Sequence, residues 1–262
     1  MLKANEGPAC RANGRSLMSR GLFFCALYWF TAIACATELK VAVASNFNSA
    51  IHALAAAYES RSDNRLVLVS GATGKHYAQI RNGAPFDLFF AADSRRPRLL
   101  EQEGRAVAGS RFTYAMGRLV LWSADEKRVD ANGQVLESIG FRRLAMAKPK
   151  LAPYGDAARQ VLKARGLWDK LQAHLVQGEN VGQAFQFVKT GNAELGFVAY
   201  AQIKRPGAPI AGSYWDVPQA LYSPIEQQAV LLIDRPAARD FLAYVKSNAA
   251  RALIRDYGYD VP

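Results

Sequence analysis

Two hydroxyl side chains stand at matching places in this chain. Ser45 ends the apolar, strand-like run Leu39-Lys40-Val41-Ala42-Val43-Ala44 and opens a helical pattern through Phe47, Ile51, Leu54 and Tyr58. Thr73 does the same after Leu66-Val67-Leu68-Val69 and Ser70-Gly71-Ala72, ahead of Tyr77 and Ile80. A third start, Pro153-Tyr154-Gly155-Asp156, leads a run in which Ala158, Val161 and Leu162 fall at helical spacing. The first turn of a helix carries backbone N–H groups with no intrahelical acceptor, at the positive end of the macrodipole. Several such starts aimed at one point make a receptor for a small anion. The competing role for each hydroxyl is an ordinary N-cap. Three starts of one plan favour the receptor.

The elements that would position these residues alternate along the chain. Strand-like runs at 39–44, 66–69, 87–91, 119–122, 144–147, 195–198 and 229–233 are separated for the most part by amphipathic stretches, among them Val181, Ala184, Phe185 and Val188. That alternation predicts an α/β fold of mostly parallel sheets flanked by helices, with ligands bound beyond the carboxyl ends of the strands. Two turn-rich stretches, 112–117 and 222–228, read as crossings between two lobes and as the hinge. On that reading lobe one takes 37–116 and 224–262, and lobe two takes 117–223.

The first 36 residues read as a signal peptide. Lys3, Arg11, Arg15 and Arg20 form a basic leader, 21–36 is apolar, and Ala34-Cys35-Ala36 is a small-x-small cleavage site, so the mature chain is expected to begin at Thr37. Met18 is an alternative start. The apolar run is shorter than the roughly 20 residues that span a bilayer. All three cysteines, Cys10, Cys25 and Cys35, fall inside the leader, so the mature chain has no disulfide and no cysteine-based metal or redox site. Its formal charge falls from +11 to +8 as four basic residues and one acidic residue are removed. Such a field attracts small anions, but the basic residues lie in scattered pairs such as Arg95-Arg96 and Arg142-Arg143, without the blocks that suit nucleic acid.

Catalytic patterns are missing from the sequence. Gly74-Lys75 does not complete a phosphate-binding loop, because the first glycine of that motif would fall at Val69 and its hydroxyl at His76. His52, His76 and His174 show no zinc spacing, and no Gly-x-Ser-x-Gly elbow occurs. Asp87 and Asp93 suit turns and caps. No enzyme activity and no cofactor are expected.

These residues resemble the periplasmic molybdate-binding proteins of molybdenum ABC transporters, a type II solute-binding family. The likeness is carried by Val41 to Phe47; by Ser70-Gly71-Ala72-Thr73-Gly74-Lys75 with Asn82-Gly83-Ala84-Pro85-Phe86-Asp87-Leu88-Phe89; by Pro153-Tyr154-Gly155; and by Glu179-Asn180-Val181 with Glu194-Leu195-Gly196-Phe197-Val198. The resemblance implies a two-lobed fold and a molybdate or tungstate oxyanion held by Ser45, Asn46, Thr73, Tyr154 and Val181, the last two through their backbone. It further implies a monomeric periplasmic protein, delivery to a membrane permease, and no nucleic-acid partner. Some members add a tyrosine just after the Leu-Gly-x-Val strand, where this chain has Ala199 and then Tyr200. A donor-only, uncharged cleft would reject protonated phosphate, which carries a donor of its own. Lys75 is expected in solvent. A receptor for sulfate or another small anion, and a secreted α/β enzyme, are the alternatives.

Overall fold

The computed structural model describes residues 37–262. The leader, its cleavage site and the three cysteines lie outside the described residues.

Strands β1 (Glu38–Ala44), β2 (Arg65–Gly71), β3 (Leu88–Phe90) and β4 (Phe112–Gly117) belong to a first sheet. They are interleaved with α1 (Asn48–Glu59), α2 (Thr73–Arg81) and α3 (Arg95–Gln102). Next come β5 (Leu119–Ser123), the short α4 (Val135–Ser138), β6 (Leu144–Ala147), α5 (Pro153–Ala164), β7 (Leu175–Gly178), α6 (Val181–Lys189), β8 (Leu195–Ala199), the one-turn α7 (Tyr200–Ile203) and β9 (Ser213–Asp216). The chain then returns through β10 (Ile225–Leu231) to finish in α8 (Pro236–Val245) and α9 (Asn248–Asp256).

The strand orders are β2-β1-β3-β10-β4 and β7-β6-β8-β5-β9. In the first sheet only β10 runs against the others, pairing antiparallel with β3 and β4. In the second only β5 does, between β8 and β9. The reversed strand is in each case the one that arrives from the other sheet. Substituting β6, β7, β8, β5 and β9 for β1, β2, β3, β10 and β4 maps one order onto the other, although no sequence repeat announces it. The β1 and β6 exits thereby become equivalent, as do those of β2 and β7.

Two expectations need correction. The stretch 112–117 is strand β4 itself, and the second half of 222–228 is the start of β10. The chain leaves the first sheet through Arg118 alone and comes back between Asp216 and Ile225. Phe112-Thr113-Tyr114-Ala115-Met116-Gly117 escapes notice because its side chains mix polar and apolar on a half-covered strand. β7 and β9 are short and mix polar with apolar residues, so no apolar run or period marks them, unlike the all-apolar β6.

Each sheet is built from buried side chains that its helices cover. Phe47, Tyr58, Phe90, Tyr114 and Phe241 stack in the first core, with Phe47 and Tyr114 centroids 4.6 Å apart and Tyr58 and Phe241 5.0 Å apart. The core of the second sheet, around Leu144, Met146, Tyr154, Val161 and Phe197, runs on without a break to Ala44, Ala92 and Ile225 of the first. Apolar surface is thus continuous between the sheets. No helix among the described residues is long and apolar enough to cross a membrane.

Candidate functional site

Four helix starts converge where the two sheets meet. Ala44, Ser45, Asn46, Gly71, Ala72, Thr73 and Ala92 from one side, with Ala152, Pro153, Tyr154, Asn180 and Val181 from the other, line one small void. All five residues singled out in the sequence are among them. No lining side chain carries a charge.

The capping role for the hydroxyls fails on geometry. The residue preceding each helical turn is alanine, Ala44 before Ser45, Ala72 before Thr73 and Ala152 before Pro153, and none of these starts has a side-chain cap. Uncapped starts leave N–H groups over, at a cost of roughly 1 kcal/mol each relative to a good cap. Some find partners close by: Gly74 N–H donates to Leu151 O at 2.8 Å and Gly155 N–H to Ala152 O at 3.0 Å. Only α6 is capped conventionally, by Asn180 Oδ1, which accepts from Gln183 N–H at 3.0 Å. The N–H groups of Thr73, Tyr154 and Val181 precede these paired positions and border the void.

The hydroxyls are oriented by what they accept. Ser45 Oγ takes the N–H of Gly182 at 3.1 Å, and Thr73 Oγ1 takes the N–H of Ala92 at 3.1 Å. A hydroxyl has one O–H and two lone pairs, so with one lone pair engaged in this way the O–H is still available to a ligand. Thr73 is almost fully buried, as are Asn46, Tyr154 and Val181. A set of neutral donors in such a setting would suit an oxyanion that accepts at every oxygen. Among the described residues no cluster of histidine and carboxylate side chains could hold a metal cation.

Comparison with known proteins agrees with this architecture. Residues 39–260 match the family described as bacterial extracellular solute-binding protein. The chain belongs to that family. Its members are binding proteins and not enzymes. Two relatives carry the name molybdate-binding protein ModA: that of Azotobacter vinelandii is 47% identical over 92% of this chain and 94% of its own, and that of Rhodobacter capsulatus 45% identical over 86% and 89%. The solved structure of the Azotobacter vinelandii periplasmic molybdate-binding protein superimposes with a TM-score of 0.84 at 45% identity, covering 86% of this chain and 100% of that one.

In this solute-binding chain the two sides of the site are also joined directly. Besides the Gly182–Ser45 and Gly74–Leu151 bonds, Lys75 Nζ meets Glu179 Oε2 at 2.6 Å, and Arg96 Nη2 donates to Lys150 O at 3.2 Å. Lys75 therefore has a partner across the cleft, where the sequence suggested only solvent. Its charge holds the Glu179 carboxyl below the usual carboxylate range. Gly74 and Gly182 make these approaches possible, since a Cβ would lie 2.9 Å from Leu151 O at the first and 3.2 Å from Ser45 Cβ at the second.

Neither candidate for an added tyrosine contact reaches the void. Ala199 is core, with its N–H donating to Gln202 Oε1 at 2.9 Å, and Tyr200 lies under the Arg118 guanidinium, 4.2 Å from ring centroid to Cζ. Burial pushes the Tyr154 phenol well above its ordinary value, and its hydroxyl points away from the void towards Gly117. Two buried glutamines went unnoticed in the sequence. Gln202 Nε2 donates to Val181 O at 3.3 Å and steadies the start of α6, and Gln227 accepts from Asn46 Nδ2 at 2.5 Å. No periodic signal marks Gln227, because every residue of β10 except Glu226 is buried.

Proposed function

We propose that this chain captures one molybdate ion between two lobes outside the cytoplasm and hands it to the membrane permease of an ABC transporter. The observation that carries this is the pair of hydroxyls whose oxygens are already engaged by backbone N–H groups, set among uncharged residues where four helix starts meet. Molybdate is preferred as ligand because the relatives at 47% and 45% identity bear that name. Ser45 and Thr73 donate through their hydroxyls, and Asn46, Tyr154 and Val181 through backbone N–H groups. Each such bond to a charged oxygen is stronger than its neutral counterpart. Tungstate, of the same shape and charge, should compete. Phosphate, protonated near neutral pH, should not.

The proposed lobes are 37–116 with 224–262, and 117–223, with Gly117 itself still the last residue of β4 and the joints near Arg118 and between β9 and β10. Release of the ion then requires these lobes to part. We further infer cleavage after Ala36, a monomeric mature chain with a periplasmic destination, and no role in nucleic-acid binding.

A thermal melt of the mature protein tests the ligand. At a hundredfold excess over Kd, molybdate should stabilise it by about 2.7 kcal/mol, raising the midpoint by a few degrees. An unmoved midpoint with molybdate and tungstate, together with a rise for sulfate, would move the assignment to a sulfate receptor.

A further inference from the structure

On the hinge side of the void lies a second polar cluster, which the anion contacts do not use. Gln227 is fully buried on β10, at the point where the register against β4 shifts. Its Oε1 accepts from Asn46 Nδ2 at 2.5 Å and from Tyr114 Oη at 3.3 Å. Tyr259 fixes Asn46 from the other side, its hydroxyl accepting from Nδ2 at 3.1 Å and donating to the Asn46 carbonyl at 2.8 Å. Three atoms remain without a partner: Gln227 Nε2, Asn46 Oδ1 and Tyr154 Oη, three of the four such buried side-chain atoms among the described residues. Tyr154 belongs to α5, on the opposite sheet. Gly117 marks the meeting point, for a Cβ there would collide with Tyr154 Oη and lie 3.1 Å from Gln227 Nε2.

We propose that these three atoms hold one buried water, and that Gln227 is thereby a positioning residue linking Asn46, beside the anion, to the Tyr154 hydroxyl of the opposing lobe. Buried polar groups are almost always paired, through an ordered water where no protein group serves. The stoichiometry fits: the water accepts from Nε2–H and from the phenolic O–H, and donates to Oδ1. Because Tyr154 rides on α5, the set is complete only while the lobes are together. It favours the closed state and slows release of an anion that it does not touch. This coupling to release rests on the oxyanion reading above; the water does not.

A crystal structure of the mature chain at a resolution that shows waters should place one within hydrogen-bond distance of all three atoms. Empty density there, or a direct Tyr154–Gln227 bond, overturns the water. In stopped-flow measurements with molybdate, Tyr154→Phe should dissociate about tenfold faster at an unchanged association rate, with the ligand-free melting midpoint preserved. Gln227→Leu also removes the acceptor of Asn46 Nδ2, so it should release molybdate at least as fast and lower the ligand-free midpoint, and adding Tyr154→Phe to it should speed release no further, as expected of one shared unit. If Tyr154→Phe releases molybdate as slowly as the parent, or more slowly, the hydroxyl is unpaired and the coupling is refuted. Failure of the parent to bind molybdate, tungstate or sulfate would instead sink the oxyanion reading, while the crystal structure still decides the water.

Discussion

Ser45 and Thr73 differ from ordinary capping residues in one respect: alanine occupies the cap, and the hydroxyl comes one residue later. That shift turns each oxygen towards a neighbouring N–H, from Gly182 or Ala92, and leaves its proton for a ligand on the proposed reading. Replacing either by alanine strands one ion oxygen without a donor in a dry site. Ser45→Ala and Thr73→Ala should each weaken molybdate binding by about 1.5–3 kcal/mol, roughly one to two decades in Kd, in a calorimetric titration. Lys75→Ala should lose far less. Its ion pair with Glu179 is about half exposed at both ends, so solvent screens most of its contribution and added salt should erase the rest. A lysine variant that abolishes binding beside intact hydroxyl variants would refute the neutral-donor site.

At the scale of elements, the same argument applies to helix starts and to what lies between them. α2 brings Thr73 to the void and Gly74 to Leu151 of the other side in consecutive residues. Gly74→Ala should raise the intrinsic helix propensity of α2 by up to about 1 kcal/mol, yet it forces a methyl against a backbone oxygen when the lobes close. Overpacking of that kind costs about 1–3 kcal/mol, so affinity should fall by roughly fivefold to a hundredfold while the ligand-free midpoint holds or rises. A variant that binds as the parent does would show that this approach is not part of closure.

α2 also buries His76, with Nε2 against Val43 O at 3.2 Å and the ring packed on Phe86 and Phe89. Burial lowers its pKa below the ordinary value near 6.5. A depressed folded-state pKa contributes stability that is complete above the unfolded value and is lost as pH falls through the folded one. Urea midpoints should therefore drop on acidification below about pH 6.5, and His76→Gln should flatten that slope. An unchanged slope in the variant would assign the acid sensitivity elsewhere. Much of this was legible beforehand. Both hydroxyl junctions and the Pro153 start announce themselves by an apolar run, a small residue and a helical period. β4, β7 and β9 did not, because these strands are only partly buried and mix polar with apolar residues, where the equally short β6 is apolar throughout. Gln227 acts through Asn46 and Tyr114, far along the chain, and Gln202 joins nearby Ala199 to Val181, and no period encodes either role.

For the whole molecule, the repeated strand order matters more than any single contact. Each sheet presents two helix starts at the ends of equivalent strands, β1 and β2 in one and β6 and β7 in the other, so apposing the sheets brings four starts to one point. The central claim is that the apposed starts and two oriented hydroxyls hold one fully deprotonated tetrahedral anion with no charged partner. Isothermal titration of the mature protein near neutral pH, with molybdate, tungstate, sulfate and phosphate in turn, tests it most directly. The account predicts one molybdate per chain, competition by tungstate, and no measurable heat of binding from phosphate. Tight binding of phosphate, or a molybdate affinity that collapses with added salt as a charge-held ion would, contradicts it.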